Sequence, residues 1–250
     1  MPTVDVLVCT AVAILVLAGI AVSILLASGV PRWHGPAFAL VRATVQLTLL
    51  SVILTGVIQD AVWVGIALVV MFLVAVSVST SRIGDPPSQA WRTALALFAG
   101  VGVAGSVVFL TGAVEYSPRF VLAVGAMVIG NAMTVASVTG RTFAQLRADR
   151  WPEVEAWLAL GATPRRATRD LGRRAVHDAL LPGIDQVKTT GVVVLPGAFV
   201  GAIFGGLSPV EAGRFQLVVL AAIMAAGAIT SVTAIRLTGG AINRLPRAPV

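Results

Sequence analysis

Ala61-Val-Trp-Val-Gly-Ile-Ala-Leu-Val-Val-Met-Phe-Leu-Val-Ala-Val-Ser-Val78 decides the architecture, because eighteen residues pass with no charge and no polar alternation. A membrane barrel strand would alternate apolar and polar residues over about 10 positions. A segment apolar on every side can satisfy its backbone in lipid only as a helix. Working outward, six more runs approach the roughly 20 residues that cross a hydrocarbon core of about 30 Å. The seven are 6–27, 37–58, 61–80, 93–112, 120–140, 189–207 and 214–238. The chain therefore reads as all-α, a polytopic membrane protein with about seven transmembrane helices in a single transmembrane domain over residues 1–250. Composition agrees: 57% of residues are hydrophobic, 12% are charged and the mean hydropathy is +0.94, beyond what a soluble domain of this size buries.

The first run is expected to be a retained anchor, since Met1 to Asp5 carries no Lys or Arg and the apolar run exceeds an ordinary signal core. Cys9 lies within it and is the only cysteine, so there is no disulfide framework. Charge sets the expected orientation. Placing 141–188 in the cytoplasm puts 15 of the 18 basic residues on that side, leaving Arg119 and Arg214 outside and Arg42 within the bilayer. That is the positive-inside asymmetry. It predicts a multi-pass protein with its N-terminus outside and its C-terminus cytoplasmic. The high pI follows from the same asymmetry, and with neither a soluble domain nor an aromatic platform the chain has no nucleic-acid reading.

The cytoplasmic segment 141–188 holds nine basic residues and a helical pattern. Pro152 followed by Glu153 and Glu155 marks a helix start. Trp157, Leu158 and Leu160 supply an apolar face, Gly161 a turn, and Pro164 opens a second helix with Arg165, Arg169, Arg173 and His177 on one side. That arginine stripe also suits an anionic lipid surface, which makes membrane lipid an expected partner.

Within the spans, Arg42 and Gln46 share a helical face, and Asn131 is a second mid-span amide. Polar groups at such depth either line a pathway or, for Arg42, snorkel to the surface while Gln46 and Asn131 bridge helices. Pro196 favours a kink, and Gly197, Gly201 and Gly205 form two overlapping Gly-x-x-x-Gly units suited to close packing or gating, within one chain or across a dimer. No catalytic residues are expected. The phosphate-binding Gly-x-x-x-x-Gly-Lys-Ser/Thr loop is absent, so ATP hydrolysis would need a partner. Neither a resident metal nor another cofactor is expected, because His34 and His177 stand apart from any ligand spacing and His34 reads as an interfacial loop residue.

Glu155-Ala156-Trp157-Leu-Ala-Leu160-Gly161-Ala162-Thr-Pro164 resembles the cytoplasmic loop through which permeases of ATP-binding-cassette (ABC) transporters engage their ATPase. The surrounding text resembles the FetB-type iron-exporter permease family, relatives of the plant aluminium-sensitivity permease, over about residues 37–240. The blocks are Leu40-Val-Arg42-Ala-Thr-Val-Gln46-Leu47; Gly130-Asn131-Ala-Met133-Thr134 with Arg141; the 155–164 stretch running on to Ala179-Leu-Leu-Pro182; and Gly191-Val-Val-Val-Leu-Pro196-Gly197 with Pro209-x-Glu211-Ala and Phe215-Gln216. Where that family carries methionines, and further on a Thr and a Gln, this chain reads Ala198, Phe199, Val200 and Ala202.

The resemblance implies a homodimeric permease of an ABC exporter in the bacterial plasma (inner) membrane, working with a separate ABC ATPase subunit and moving iron or a related metal cation. It also implies ATPase coupling at Glu155, Ala156, Trp157, Leu160, Gly161, Ala162 and Pro164, and a pathway at Arg42, Gln46, Asn131, Met133 and Thr134. Two alternatives stay open: an ABC permease for another solute such as a nucleotide sugar, and an ion-coupled carrier that needs no ATPase.

Overall fold

The structure is a computed structural model and describes residues 4–57 and 60–240. Arg244, Arg247 and the last residue of the expected second span lie outside the described residues. All described elements are helices, in two units, Met1–Ile58 and Gln59–Val250. Among the described residues, five helices are long and apolar enough to cross a membrane.

The first unit is a pair of helices, α1 (Val4–Ala27) and α2 (Gly35–Val57). Gly29 closes α1 at φ +64°, with the Val30 amide bonding the Leu25 carbonyl and the Gly29 amide that of Leu26. This αL end satisfies carbonyls that the helix leaves without partners.

The second unit contains α3 (Ala61–Ile83), α4 (Ala90–Leu110), α5 (Pro118–Asp149), α6 (Trp151–Ala159), α7 (Pro164–Ala167), α8 (Arg169–Thr189), α9 (Gly197–Phe204) and α10 (Pro209–Thr238). Its depth relative to a bilayer can be read from charge. Uncharged stretches of 21 residues separate Asp60 from Arg82, Arg119 from Arg141 and Arg214 from Arg236, and 22 separate Arg92 from Glu115. At about 1.5 Å per residue each stretch is roughly 32 Å long, close to a hydrocarbon core.

Packing puts these stretches side by side. Leu68 of α3 meets α5 at Gly125, and Ile83 meets it at Gly140. The rings of Phe120 and Phe215 lie 5.4 Å apart, and Asn131 of α5 faces Gly227 of α10. Thus α3, α5 and α10 run parallel, while α4, with Gly100 against Ala226 and Thr230, runs the other way. The four charge-free stretches coincide as one apolar slab. Arg82, Arg92, Arg141 and Arg236 ring one end of this unit, which is called the basic end below.

The slab is held by small-residue packing and internal polar contacts, as expected where lipid offers no hydrophobic drive between helices. Ala96, Leu97, Ala132 and Ala226 are fully buried. Ser79 Oγ lies 2.9 Å from Ser137 Oγ, and Ser137 donates to the Met133 carbonyl at 2.7 Å. A second core at the basic end joins Phe143, Val154, Ala167, Leu171 and Ala175, fastening α6, α7 and the start of α8 to the end of α5.

The sixth expected span, 189–207, is not one helix. α8 ends at Thr189, residues 190–196 turn, and α9 has eight residues. α8 also runs back along the bundle. Gly172 meets Ile235, Leu180 meets Gly227 and Gly183 meets Met224, so α8 runs antiparallel to α10 with residues 172–189 level with the apolar slab. Phe199 of α9 then meets Gly213. The physical reason is a two-faced helix. Leu171, Gly172, Ala175 and Ala179 form a narrow buried face against α5 and α10, while Arg173, Arg174, His177, Asp178, Asp185 and Lys188 point away. Averaged along the chain, the charges outweigh the small residues, and the segment reads as polar.

Candidate functional site: a presented helix and a broken one

At the basic end, α6 begins at Trp151 with Pro152 near its start, where a missing amide costs nothing. Glu153 sits in its first turn, 3.6 Å from Arg150. Val154 is buried and Leu158 packs beside it, anchoring one face of α6. Leu158, expected with Trp157 and Leu160 on one contact face, therefore turns inward. Glu155 and Ala156 are exposed, as are Trp157 and Leu160, which keep 45% and 82% of their surfaces accessible. The helix ends at Gly161, φ +82°, with the Ala162 amide bonding the Trp157 carbonyl and the Gly161 amide that of Leu158. This pattern needs a left-handed residue, so Gly161 has a conformational role at the tip. Ala162 and Pro164 are half-buried, and Pro164 opens the single turn of α7.

Thr168, which sequence reasoning passed over, is buried between α7 and α8. Its hydroxyl donates to the Pro164 carbonyl at 3.0 Å and to the Gly239 carbonyl at 3.3 Å, tying this end to α10. Beside α6, a cleft of about 320 Å3 is lined by Glu153, Trp157, Arg166, Arg173 and Arg174 among others.

A small cavity of about 60 Å3 under this region contains Asp85, Arg92, Thr139 and Arg147 on its wall. Arg92 Nε, Arg147 Nε and Thr139 Oγ1 are buried without a partner among the described residues, a polar lining suited to a few waters. Burial pushes the Asp85 carboxyl above its ordinary value, against the pull of Arg92 and then Arg147. Ionising Asp85 in the fold therefore costs stability at neutral pH, and that cost disappears as the pH falls through the raised pKa. Asp85→Asn is expected to melt above the native chain at neutral pH. The two should converge as the pH approaches 3.8, checked by thermal unfolding in detergent across that range.

The expected pathway residues divide between the units. Arg42 and Gln46 are exposed on α2 in the first. In the second, Asn131 is half-buried with its Oδ1 toward Gly227, near Leu180. Met133 instead packs into the core with Ala75, Val76 and Leu97. Thr134 is exposed and bonds the Gly130 carbonyl of its own helix at 3.1 Å. Of the pathway residues on α5, Asn131 alone turns toward α8 and α10.

The break between α8 and α9 is built, not frayed. The Thr189 carbonyl accepts amides from Val192, Val193 and Val194 at 3.0–3.3 Å, and Gly191 at φ +83° returns its amide to Val194 at 2.9 Å. Pro196 precedes the first residue of α9. Gly197, Gly201 and Gly205 line an exposed face of α9, and a Cβ at Gly197 or Gly201 would meet nothing within 4 Å. On the last turns of α8, Lys188 Nζ lies 3.3 Å from Asp185 Oδ1, and Thr190 Oγ1 donates to the Gln186 carbonyl at 2.7 Å. Among the described residues, no three His, Cys, Asp or Glu side chains gather as a metal cage.

A helical membrane protein with a charge-free slab, a presented helix at its basic end and a discontinuous helix through the slab is the class that these features define. The chain belongs to the family described as Uncharacterised protein family (UPF0014), whose model matches residues 8–241. It is similar to the UPF0014 membrane protein STAR2 of rice, 37% identical over 200 residues, covering 78% of this chain and 69% of that protein. It is also similar to the protein ALUMINUM SENSITIVE 3 of Arabidopsis thaliana, at 34% over 78% of this chain and 72% of that one. The probable iron export permease protein FetB of Escherichia coli is 33% identical over 144 residues, 58% of this chain and 56% of FetB. No solved structure matches the chain.

Proposed function

We propose that this chain is the membrane-spanning permease subunit of an ABC exporter that moves iron or a related metal cation, driven by ATP hydrolysis in a separate subunit. The observation that carries this reading is the construction of α6. Its inner residues Val154 and Leu158 lock it to the bundle, while Glu155, Trp157 and Leu160 face outward beside a cleft. A rigid helix with exposed aromatic and aliphatic anchors suits a groove on a partner, and Glu155 can set its register by a charged hydrogen bond. The kinship with FetB, named a probable iron export permease, supports the substrate.

In this reading the chain crosses the plasma membrane of a bacterium seven times, with α8 and α9 together forming the sixth crossing. The N-terminus is outside, and the basic end and C-terminus are cytoplasmic, apposed to anionic lipid. Two copies pair, and closure of two ATPases pushes on α6 to switch the spans between inward- and outward-facing states.

Mild-detergent purification of the tagged chain from its own membranes tests the reading, with a Glu155→Arg, Gly161→Trp double variant beside it. One ABC ATPase should accompany the native chain and fall at least about tenfold in the variant, since central anchors dominate such interfaces. An ATPase absent from both well-folded preparations would overturn the docking assignment in favour of an ion-coupled carrier.

A further inference from the structure

We propose that the outward face of α8 lines a water-filled path from the basic end to the α8–α9 break, and that Asp185 at its inner end receives the transported divalent cation in exchange for Lys188. The cation class rests on the transport reading above; the path itself does not.

Depth carries the argument. The contacts of Gly172, Leu180 and Gly183 set α8 against α10 one residue for one residue, which places Pro182 level with the midpoint of the 215–235 stretch. Asp185 then lies about 4.5 Å beyond the slab's middle, and Lys188 about 9 Å beyond it. Their side chains are 65% and 69% exposed. Arg174, Asp178, Leu181, Asp185 and Lys188 fall on one face of the helix, opposite buried Ala175 and Ala179. Charged groups at that depth do not face lipid; they face one another, protein or water. A single pair at 3.3 Å leaves most of both groups unsatisfied, so water must reach them.

The break supplies the rest of the station. Where α8 stops lie the Asp185 carboxylate, the Gln186 side-chain amide and the Thr189 and Thr190 hydroxyls, whose protons go to the Asp185 and Gln186 carbonyls and whose lone pairs remain, all at the negative end of the helix dipole. An interrupted helix inside a membrane is tolerated where it is buried in protein or lines a cavity. All these donors are oxygens, which suit a hard divalent cation, and a single carboxylate without a cage binds it weakly enough to release it. When the site is empty, Lys188 holds the carboxylate's charge. An arriving cation takes Asp185 and frees the ammonium to turn into water.

Two measurements test this, neither needing an ATPase. In a Cys9→Ser background, a membrane-impermeant maleimide should modify Leu181→Cys at a rate within about tenfold of Asp149→Cys beyond the slab. Val70→Cys, exposed at the same depth on α3, should stay unmodified. Equal protection of Leu181→Cys and Val70→Cys would overturn the path. Mn2+ binding to the purified chain, followed by electron paramagnetic resonance, should weaken at least tenfold in Asp185→Asn and tighten several-fold in Lys188→Gln. Unchanged binding in both would overturn the exchange. Protected cysteines beside a co-purifying ATPase sink this inference alone, whereas a labelled path without an ATPase sinks the docking reading alone.

Discussion

Gly100→Ala is expected to destabilise the folded chain by about 1–3 kcal/mol, although alanine is the better helix former by about 1 kcal/mol. Gly102→Ala and Gly105→Ala on the same helix should be neutral or slightly stabilising. The difference is what each new methyl meets. At Gly102 and Gly105 nothing lies within 4 Å. At Gly100 the Cβ would overlap Thr230 Oγ1 and the Ala226 carbonyl oxygen, and Ala226 and Thr230 are both fully buried. A carbonyl in mid-helix cannot rotate away, so α4 and α10 must separate along the contact where their apolar cores meet. Membrane helices gain stability mainly from such close approach, and a fraction of an ångström of separation loses many dispersion contacts at once. Unfolding of the three variants in mixed detergent micelles compares them directly. A Gly100→Ala variant as stable as Gly102→Ala would mean that α4 and α10 do not pack as described.

That contact marks where sequence reasoning stops. Ala61–Val78 announces a membrane helix because lack of charge and lack of alternation are local properties, and four helices of this kind define the slab. Helix α6 was legible for a similar reason: Pro152, Glu153 and Gly161 act through the backbone of their own turn. Leu158 reads as part of the exposed face because the neighbours that bury it, Phe143 and Leu171, come from other elements. α8 was hidden more thoroughly, since its buried stripe is made of Gly and Ala, residues whose apolar surface is too small to outweigh the charges between them. Pro196 pointed to a kink, yet the turn is made by Thr189 and Gly191 several residues earlier. A left-handed glycine cannot be told from an ordinary one by composition.

On the proposed transport reading, Gly191→Val is expected to cut transport more than tenfold while leaving most of the fold's stability intact. The residue sits at φ +83°, where a β-branched side chain costs about 1–2 kcal/mol or more, although a Cβ there would meet no neighbour within 4 Å. The penalty is therefore conformational and local, and the chain can relieve it by giving up the turn. Doing so releases the three amides gathered on the Thr189 carbonyl and the Gly191–Val194 bond. The end of α8 would then extend or fray, moving Asp185 and Lys188 relative to Asn131 and α10. A site that holds its ligand through a few oxygens loses function when they shift by about 1 Å. The control is Gly105→Ala on α4, where neither left-handed backbone nor a close neighbour opposes the methyl. Metal accumulation in inverted vesicles with the co-purified ATPase should fall more than tenfold for Gly191→Val and stay within about twofold for Gly105→Ala, in proportion to the effect of a misplaced site. Melting temperatures in detergent should differ little between the two. Normal transport by Gly191→Val would show that the station does not depend on the geometry of the break.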